Sequence, residues 1–139
     1  MTPYCPEVRF VDLDAMGIVN NATYLTYLEQ ARIHFFSELV GAEWDWHAGG
    51  VVVARHAIDY RLPLRLNDSP EIHTWIAAVG GKSMTVKYVI RLQGASHAYE
   101  VARAETVLVG YDHLRGVSVD IPALWREAFE QGRTGVPLT

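Results

Sequence analysis

The chain has 139 residues, half of them apolar and 20% charged, with a formal net charge of −4. That length suits one domain, and the balance is that of a globular domain rather than a disordered segment. The negative charge argues against a broad nucleic-acid footprint, which needs a basic face.

In chain order, Val8 to Val11 reads as a short strand that ends in Asp12-Leu13-Asp14. A turn containing Gly17 follows. From about Asn21 to Val40 the period becomes helical, with Tyr24, Leu28, Ala31, Phe35 and Leu39 on one face. Asn20 and Asn21 are N-cap candidates and Gly41 a stop. Glu29 and Arg32 read as a pair on the helix surface. Ala42 to Gly50 is a connector carrying Trp44 and Trp46, which either cover the core or line a binding tunnel.

The period then falls to two. Val51 to Arg61 is a strand, Pro63 to Pro70 a loop, and Glu71 to Val79 a strand closed by the Gly80-Gly81 turn. Ser83 to Leu92 alternates most regularly, with Met84, Val86, Tyr88, Ile90 and Leu92 on one face. Gln93 to His97 is a turn and Ala98 to Tyr111 the last long strand. A loop, a short strand and a helix ending near Gly132 complete the chain. The order predicts an antiparallel meander around one long helix. With no βαβ alternation, a doubly wound nucleotide fold is unsupported. One sheet layer leaves open strand edges, so a homodimer is the expected minimum.

No signal peptide is expected from the first twenty residues, and no apolar run is long enough to span a membrane. Cys5 is the only cysteine, which excludes an intrachain disulfide and suits a reducing, cytoplasmic setting. The six histidines, His34, His47, His56, His73, His97 and His113, show no metal-ligand spacing. Gly81-Lys82-Ser83 has the ending of a P-loop, but the earlier glycine that motif needs is replaced by Ile76.

The segment from Asp12 to Leu25 is the most informative. Two carboxylates two apart, a glycine and two asparagines aim an acid at the start of a long helix. Free N–H groups there can hold a developing negative charge. By pattern alone, Asp12 and Asp14 are equally at home as turn and cap residues.

Asp12-Leu13-Asp14-Ala15-Met16-Gly17-Ile18-Val19-Asn20-Asn21-Ala22-Thr23-Tyr24-Leu25, with Leu28-Glu29-Gln30-Ala31-Arg32, resembles the signature of the hotdog-fold 4-hydroxybenzoyl-CoA thioesterase family, acyl-CoA thioesterase branch. Further matches are Ile58-Asp59-Tyr60-Arg61-Leu62-Pro63-Leu64, Asp68, Gly80-Gly81-Lys82-Ser83, Val101-Ala102-Arg103-Ala104, Asp112 and Ile121-Pro122. The resemblance implies a single α+β hotdog domain over residues 1–139, a long central helix wrapped by a five- to six-stranded antiparallel sheet. It implies acyl-CoA hydrolysis to a carboxylic acid and free coenzyme A, with no cofactor beyond the substrate's coenzyme A and no metal. Asp14 would be the catalytic carboxylate, as nucleophile or as base for a water. A backbone N–H near Asn21 would polarise the carbonyl. Gly17 would give room for the thioester, and Asn20 and Asn21 would shape the turn. Lys82 and Ser83 would meet the coenzyme A phosphates, although a solvated turn lysine fits the same residue. Arg55, Arg61, Arg65 and Arg91 are further phosphate candidates, each equally at home as surface charge. The implied assembly is a homodimer, or a dimer of dimers (homotetramer), whose site draws on both subunits. The alternatives are an acyl-carrier-protein thioesterase and an acyl-thioester binding protein without turnover. The sequence departs from that branch at Ile18, where a histidine is usual, so the acyl group is left open.

Overall fold

A computed structural model describes residues 1–93, 99–133 and 135 of the chain. The turn expected over Gln93 to His97 lies outside the described residues beyond Gln93, as does the expected strand start at Ala98. The described elements are α1 (Thr23–Val40), β1 (Gly50–Tyr60), β2 (Pro70–Val79), β3 (Ser83–Leu92), β4 (Glu100–Asp112), β5 (Val117–Ser118) and α2 (Ala123–Glu130).

The strands form one five-stranded antiparallel sheet in the order β1-β4-β3-β2, with β5 paired to the end of β4. This corrects the expected meander. β2, β3 and β4 follow one another, but β1 lies beside β4, on the far side of the sheet from β2. The connection from β1 to β2 therefore crosses between the sheet's two edges. It is pinned on the way: Leu64 is fully buried, its carbonyl accepts from the Val19 N–H at 2.8 Å, and Arg65 bridges to Ile18.

α1 lies against the inner face of the sheet. Tyr24, Tyr27, Leu28, Ala31, Phe35 and Phe36 are buried on the helix, facing a core that includes Met84, Val86, Tyr88 and Ile90 of β3. The alternation of β3 is thus the alternation of core and outer face. α2 closes the end of the core with Trp125, fully buried and stacked on Phe36 at 4.6 Å. Trp44 and Trp46 gather around the same tryptophan, at 5.6 and 5.4 Å between rings. The backbone after Val40 leaves the helix through Gly41 at φ 88°, a conformation glycine adopts freely.

The two edges of the sheet are treated differently. β2 is covered by the N-terminal segment, where Tyr4 and Ile72 exchange hydrogen bonds of 2.9 and 2.8 Å. Among the described residues no strand pairs with the outer edge of β1, and Val53, Ala54 and Arg55 at its centre are exposed. An unpaired edge of this length invites another strand.

Candidate active site

The segment before α1 is not the strand expected at Val8 to Val11. Phe10–Asp12 is a turn of 3₁₀-helix. The cause is Asp12, whose buried carboxylate accepts from the Arg9 N–H at 3.0 Å, the Arg9 guanidinium at 3.0 Å and the Tyr27 hydroxyl at 2.7 Å. The first of these bonds curls the backbone, and the last ties the curl to α1. Burial alone would raise the Asp12 carboxyl, but the three bonds outweigh it and hold the group below its ordinary 3.8. Burial and the bond to Asp12 push the Tyr27 hydroxyl up, so it stays a donor.

Asp12 is therefore a structural anchor. Asp12→Ala is expected to lower stability by about 2–4 kcal/mol, since it strands the buried Tyr27 hydroxyl as well as losing its own bonds. The pH dependence has a definite sign. A carboxyl lowered by folding stabilises the fold fully above about pH 5 and loses that contribution as the pH falls below its unfolded value. Chemical denaturation of Asp12→Asn at pH 7 and pH 3 should show a smaller difference between the two than the wild-type protein does.

Beyond Asp12 the chain makes a narrow hairpin. Leu13 bridges to Val19, the Asp14 N–H donates to the Ile18 carbonyl at 2.8 Å, and the Gly17 N–H donates to the Asp14 carbonyl at 3.0 Å. Gly17 sits at φ 76°, and a Cβ built there would meet nothing within 4 Å. Its glycine thus answers to the backbone, and it does not line the cleft described next.

Asp14 is exposed at the hairpin's tip. One carboxylate oxygen accepts from the Met16 N–H at 2.8 Å, while the other has no hydrogen-bond partner among the described residues. The side chain lines a cleft of about 410 Å³ together with Ile18, Asn21, Tyr24, Tyr60 and Arg61. The start of α1 lines it too, through Asn21 and Tyr24. Asn20 shapes the turn into the helix: its side-chain oxygen accepts from the Ala22 N–H at 2.9 Å and its carbonyl from the Thr23 N–H at 2.9 Å. The backbone N–H of Asn21 has no partner among the described residues. Asp14, with one carboxylate oxygen free, and Asn21, whose N–H is unpaired, therefore line one cleft. No histidine lines it among the described residues.

Tyr60 is a site residue to which the sequence assigns no role, although it falls within the matched stretch from Ile58 to Leu64. Its hydroxyl donates to the Asn21 carbonyl at 2.9 Å, and its ring meets Tyr24 edge-on at 4.9 Å, which steadies the helix start from β1. Alternation along β1 gives no reason to look for that contact, because Asn21 is remote in sequence. Arg61, by sequence only a phosphate candidate, also lines the cleft and is held at 2.5 Å by Glu100. Glu100 is kept below its ordinary value, first by its bond from Arg103.

Lys82 and Ser83 are not brought to this cleft. Ser83 is level with Val52 through their common partner Val109, and Ile90 is level with Tyr60 through Ala102. From Ser83 to Ile90 is seven residues of β3, or roughly 23 Å at about 3.3 Å per residue. Within one chain the Lys82 turn and Asp14 thus lie at opposite ends of the sheet. Arg126 of α2 braces that turn, donating to the Gly80 and Gly81 carbonyls at 2.8 and 3.0 Å. The surface pair expected of Glu29 and Arg32 does not form. Arg32 is buried and turns inward to the Tyr88 hydroxyl at 3.2 Å. Among the described residues no three His, Cys, Asp or Glu side chains converge as a metal site, and no helix is long and apolar enough to cross a membrane.

Residues 8–129 match the thioesterase-like superfamily. The long-chain acyl-CoA thioesterase FadM of Escherichia coli (strain K12) is 32% identical over 126 residues, covering 90% of this chain and 94% of that protein. The putative acyl-CoA thioesterase YneP of Bacillus subtilis (strain 168) is 34% identical over 86 residues, covering 60% of this chain and 62% of that protein's length. Among solved structures, a thioesterase from Thermus thermophilus complexed with coenzyme A and Zn superposes with a TM-score of 0.79 at 31% identity. That match covers 99% of this chain and 96% of the other.

Proposed function

The chain belongs to the thioesterase-like superfamily, with a hotdog α+β fold, and we propose that it hydrolyses acyl-CoA thioesters to a carboxylic acid and free coenzyme A. The observation that supports this is one cleft lined both by Asp14 and by Asn21, whose backbone N–H is unpartnered among the described residues. The thioester carbonyl lies between them. The Asp14 carboxylate attacks the carbonyl carbon directly, or takes a proton from a water that does so. The carbonyl oxygen gains negative charge as its double bond opens, and the Asn21 N–H donates to it. Collapse breaks the carbon–sulfur bond. The sulfur leaves as a thiolate, tolerable because a thiol has a pKa of about 8.5. If the attack was direct, water then hydrolyses the anhydride and restores Asp14; if Asp14 took the water's proton, it passes it to the departing thiolate, which leaves free coenzyme A and the carboxylate restored. No step needs a group beyond the coenzyme A of the substrate, and none needs a histidine where Ile18 stands.

The distance between Lys82 and Asp14 supports a homodimer as the working unit. A two-fold axis through the exposed centre of β1 would pair the open edges and reverse the sheet's ends. It would carry the partner's Lys82 turn to the end that holds Asp14, where a lysine could meet the phosphates of coenzyme A. Pairs of such dimers would form the tetramer. The exposed, free Cys5 suits a cytoplasmic protein.

The test is steady-state hydrolysis of one acyl group presented on coenzyme A and on acyl carrier protein. The coenzyme A ester is expected to be cleaved with the higher kcat/KM. Turnover of the carrier-protein ester alone would overturn the substrate assignment while leaving the chemistry of Asp14 in place.

A further inference from the structure

Two peptide units flank the α-carbon of Asn21, and three of their four polar groups are bonded. The Asn20 carbonyl accepts from the Thr23 N–H at 2.9 Å. The Ala22 N–H donates to the Asn20 side-chain oxygen at 2.9 Å. The Asn21 carbonyl accepts from the Tyr60 hydroxyl at 2.9 Å. The fourth group, the Asn21 N–H, has no partner among the described residues. A peptide unit is planar, so a bond to one of its groups also fixes the direction of the other. The free N–H therefore cannot swing without bending or breaking a neighbouring bond.

Two of these bonds are local, made by Asn20 to residues two and three positions along. Local bonds alone leave a helix start free to fray. The third bond comes from the sheet. Tyr60 is the last residue of β1, in register with Ala102 of β4. Its ring meets the buried Tyr24 edge-on at 4.9 Å, so the hydroxyl is delivered from a fixed position. Partial burial raises that hydroxyl above its ordinary 10.0, which keeps it a donor.

We propose that Tyr60 is a positioning residue for thioester hydrolysis: its hydroxyl, bonded to the Asn21 carbonyl, presets the adjoining N–H for the oxygen of the thioester. The proposal rests on the thioesterase reading of Asp14 and Asn21. Tyr60 moves no proton in it and acts through the Asn21 backbone alone. A donor held in place beforehand costs no reorganisation when charge develops, so the benefit appears in kcat.

Tyr60→Phe removes the hydroxyl and keeps the ring against Tyr24. It is expected to lower kcat about tenfold with KM unchanged, a part of the ~10²–10³ that a whole oxyanion donor contributes. Tyr60 is 47% exposed, so the melting temperature should stay close to that of wild type. In the Asn21→Pro background, which lacks the N–H, the same change should cost nothing more. A second readout needs no turnover. Full-length Asp14→Asn protein is loaded with an acyl-CoA isotopically labelled at the thioester carbonyl, and the carbonyl band is recorded by difference infrared spectroscopy. An aimed donor polarises the carbonyl and lowers its frequency, and adding Tyr60→Phe should reverse part of that shift.

Folded Tyr60→Phe with wild-type kcat, or with a raised KM alone, overturns the proposal. So does an equal loss of rate with and without the Asn21 N–H, or a carbonyl band that Tyr60→Phe leaves in place. A wild-type protein that cleaves no acyl-CoA would instead sink the thioesterase reading, and this proposal with it.

Discussion

Asp14→Asn is expected to lower kcat at least about a hundredfold, the usual contribution of a positioned base or nucleophile. The protein should stay folded, and the reason is local. The Asp14 oxygen that accepts from the Met16 N–H at 2.8 Å has an equivalent in the asparagine amide, so the hairpin tip keeps its shape. Asp14 is exposed and has no other side-chain bond among the described residues, so nothing buried is left stranded. Stability should therefore remain within about 0.5 kcal/mol of wild type. What is lost is the negative oxygen that attacks or that receives the water's proton. KM should move little, because the cleft walls and the Asn21 donor are untouched. Steady-state thiol release measured alongside thermal melting checks both halves. Unfolding of the variant would instead mean that Asp14 serves the turn.

Asn21→Pro tests the other half of the site. Proline removes the backbone N–H and leaves the carbonyl that accepts from Tyr60. That N–H has no partner among the described residues, so its loss breaks no internal bond. With the oxyanion donor gone, kcat should fall by about 10²–10³. Asn21→Ala keeps the N–H and should keep most of the rate. A proline variant as fast as the alanine variant, both folded, would show that the thioester oxygen finds its donor elsewhere.

Much of this architecture is legible from local periodicity. The alternation from Ser83 to Leu92 gives β3 its observed bounds, and the spacing of Tyr24, Leu28, Ala31 and Phe35 gives the buried face of α1. What local pattern cannot carry is pairing between remote residues. Alternation marks β1 as a strand but does not say that its neighbour is β4 rather than β2. The 3₁₀ turn at Phe10–Asp12 depends on Tyr27, fifteen positions along the chain from Asp12. Glu29 and Arg32 have helix-surface spacing, yet the buried stripe of α1 is wide enough to take Arg32 in beside Phe36. The motif residues place Asp14 at a helix start, but only the folded sheet shows that Lys82 stands at its other end.

Asp12 and Asp14 look alike in the sequence and differ completely in the fold. One is buried under three hydrogen bonds, and the other stands at a hairpin tip and lines a cleft with Asn21. The central claim, that Asp14 performs the hydrolysis, is tested most directly by a single-turnover chemical quench. Enzyme is held in excess over an acyl-CoA that the wild-type protein cleaves, with wild type and Asp14→Asn run side by side. Acid and free thiol should appear together in the wild-type reaction, while Asp14→Asn retains the bound thioester intact over the same interval. Thiol release by folded Asp14→Asn at the wild-type rate would contradict the claim.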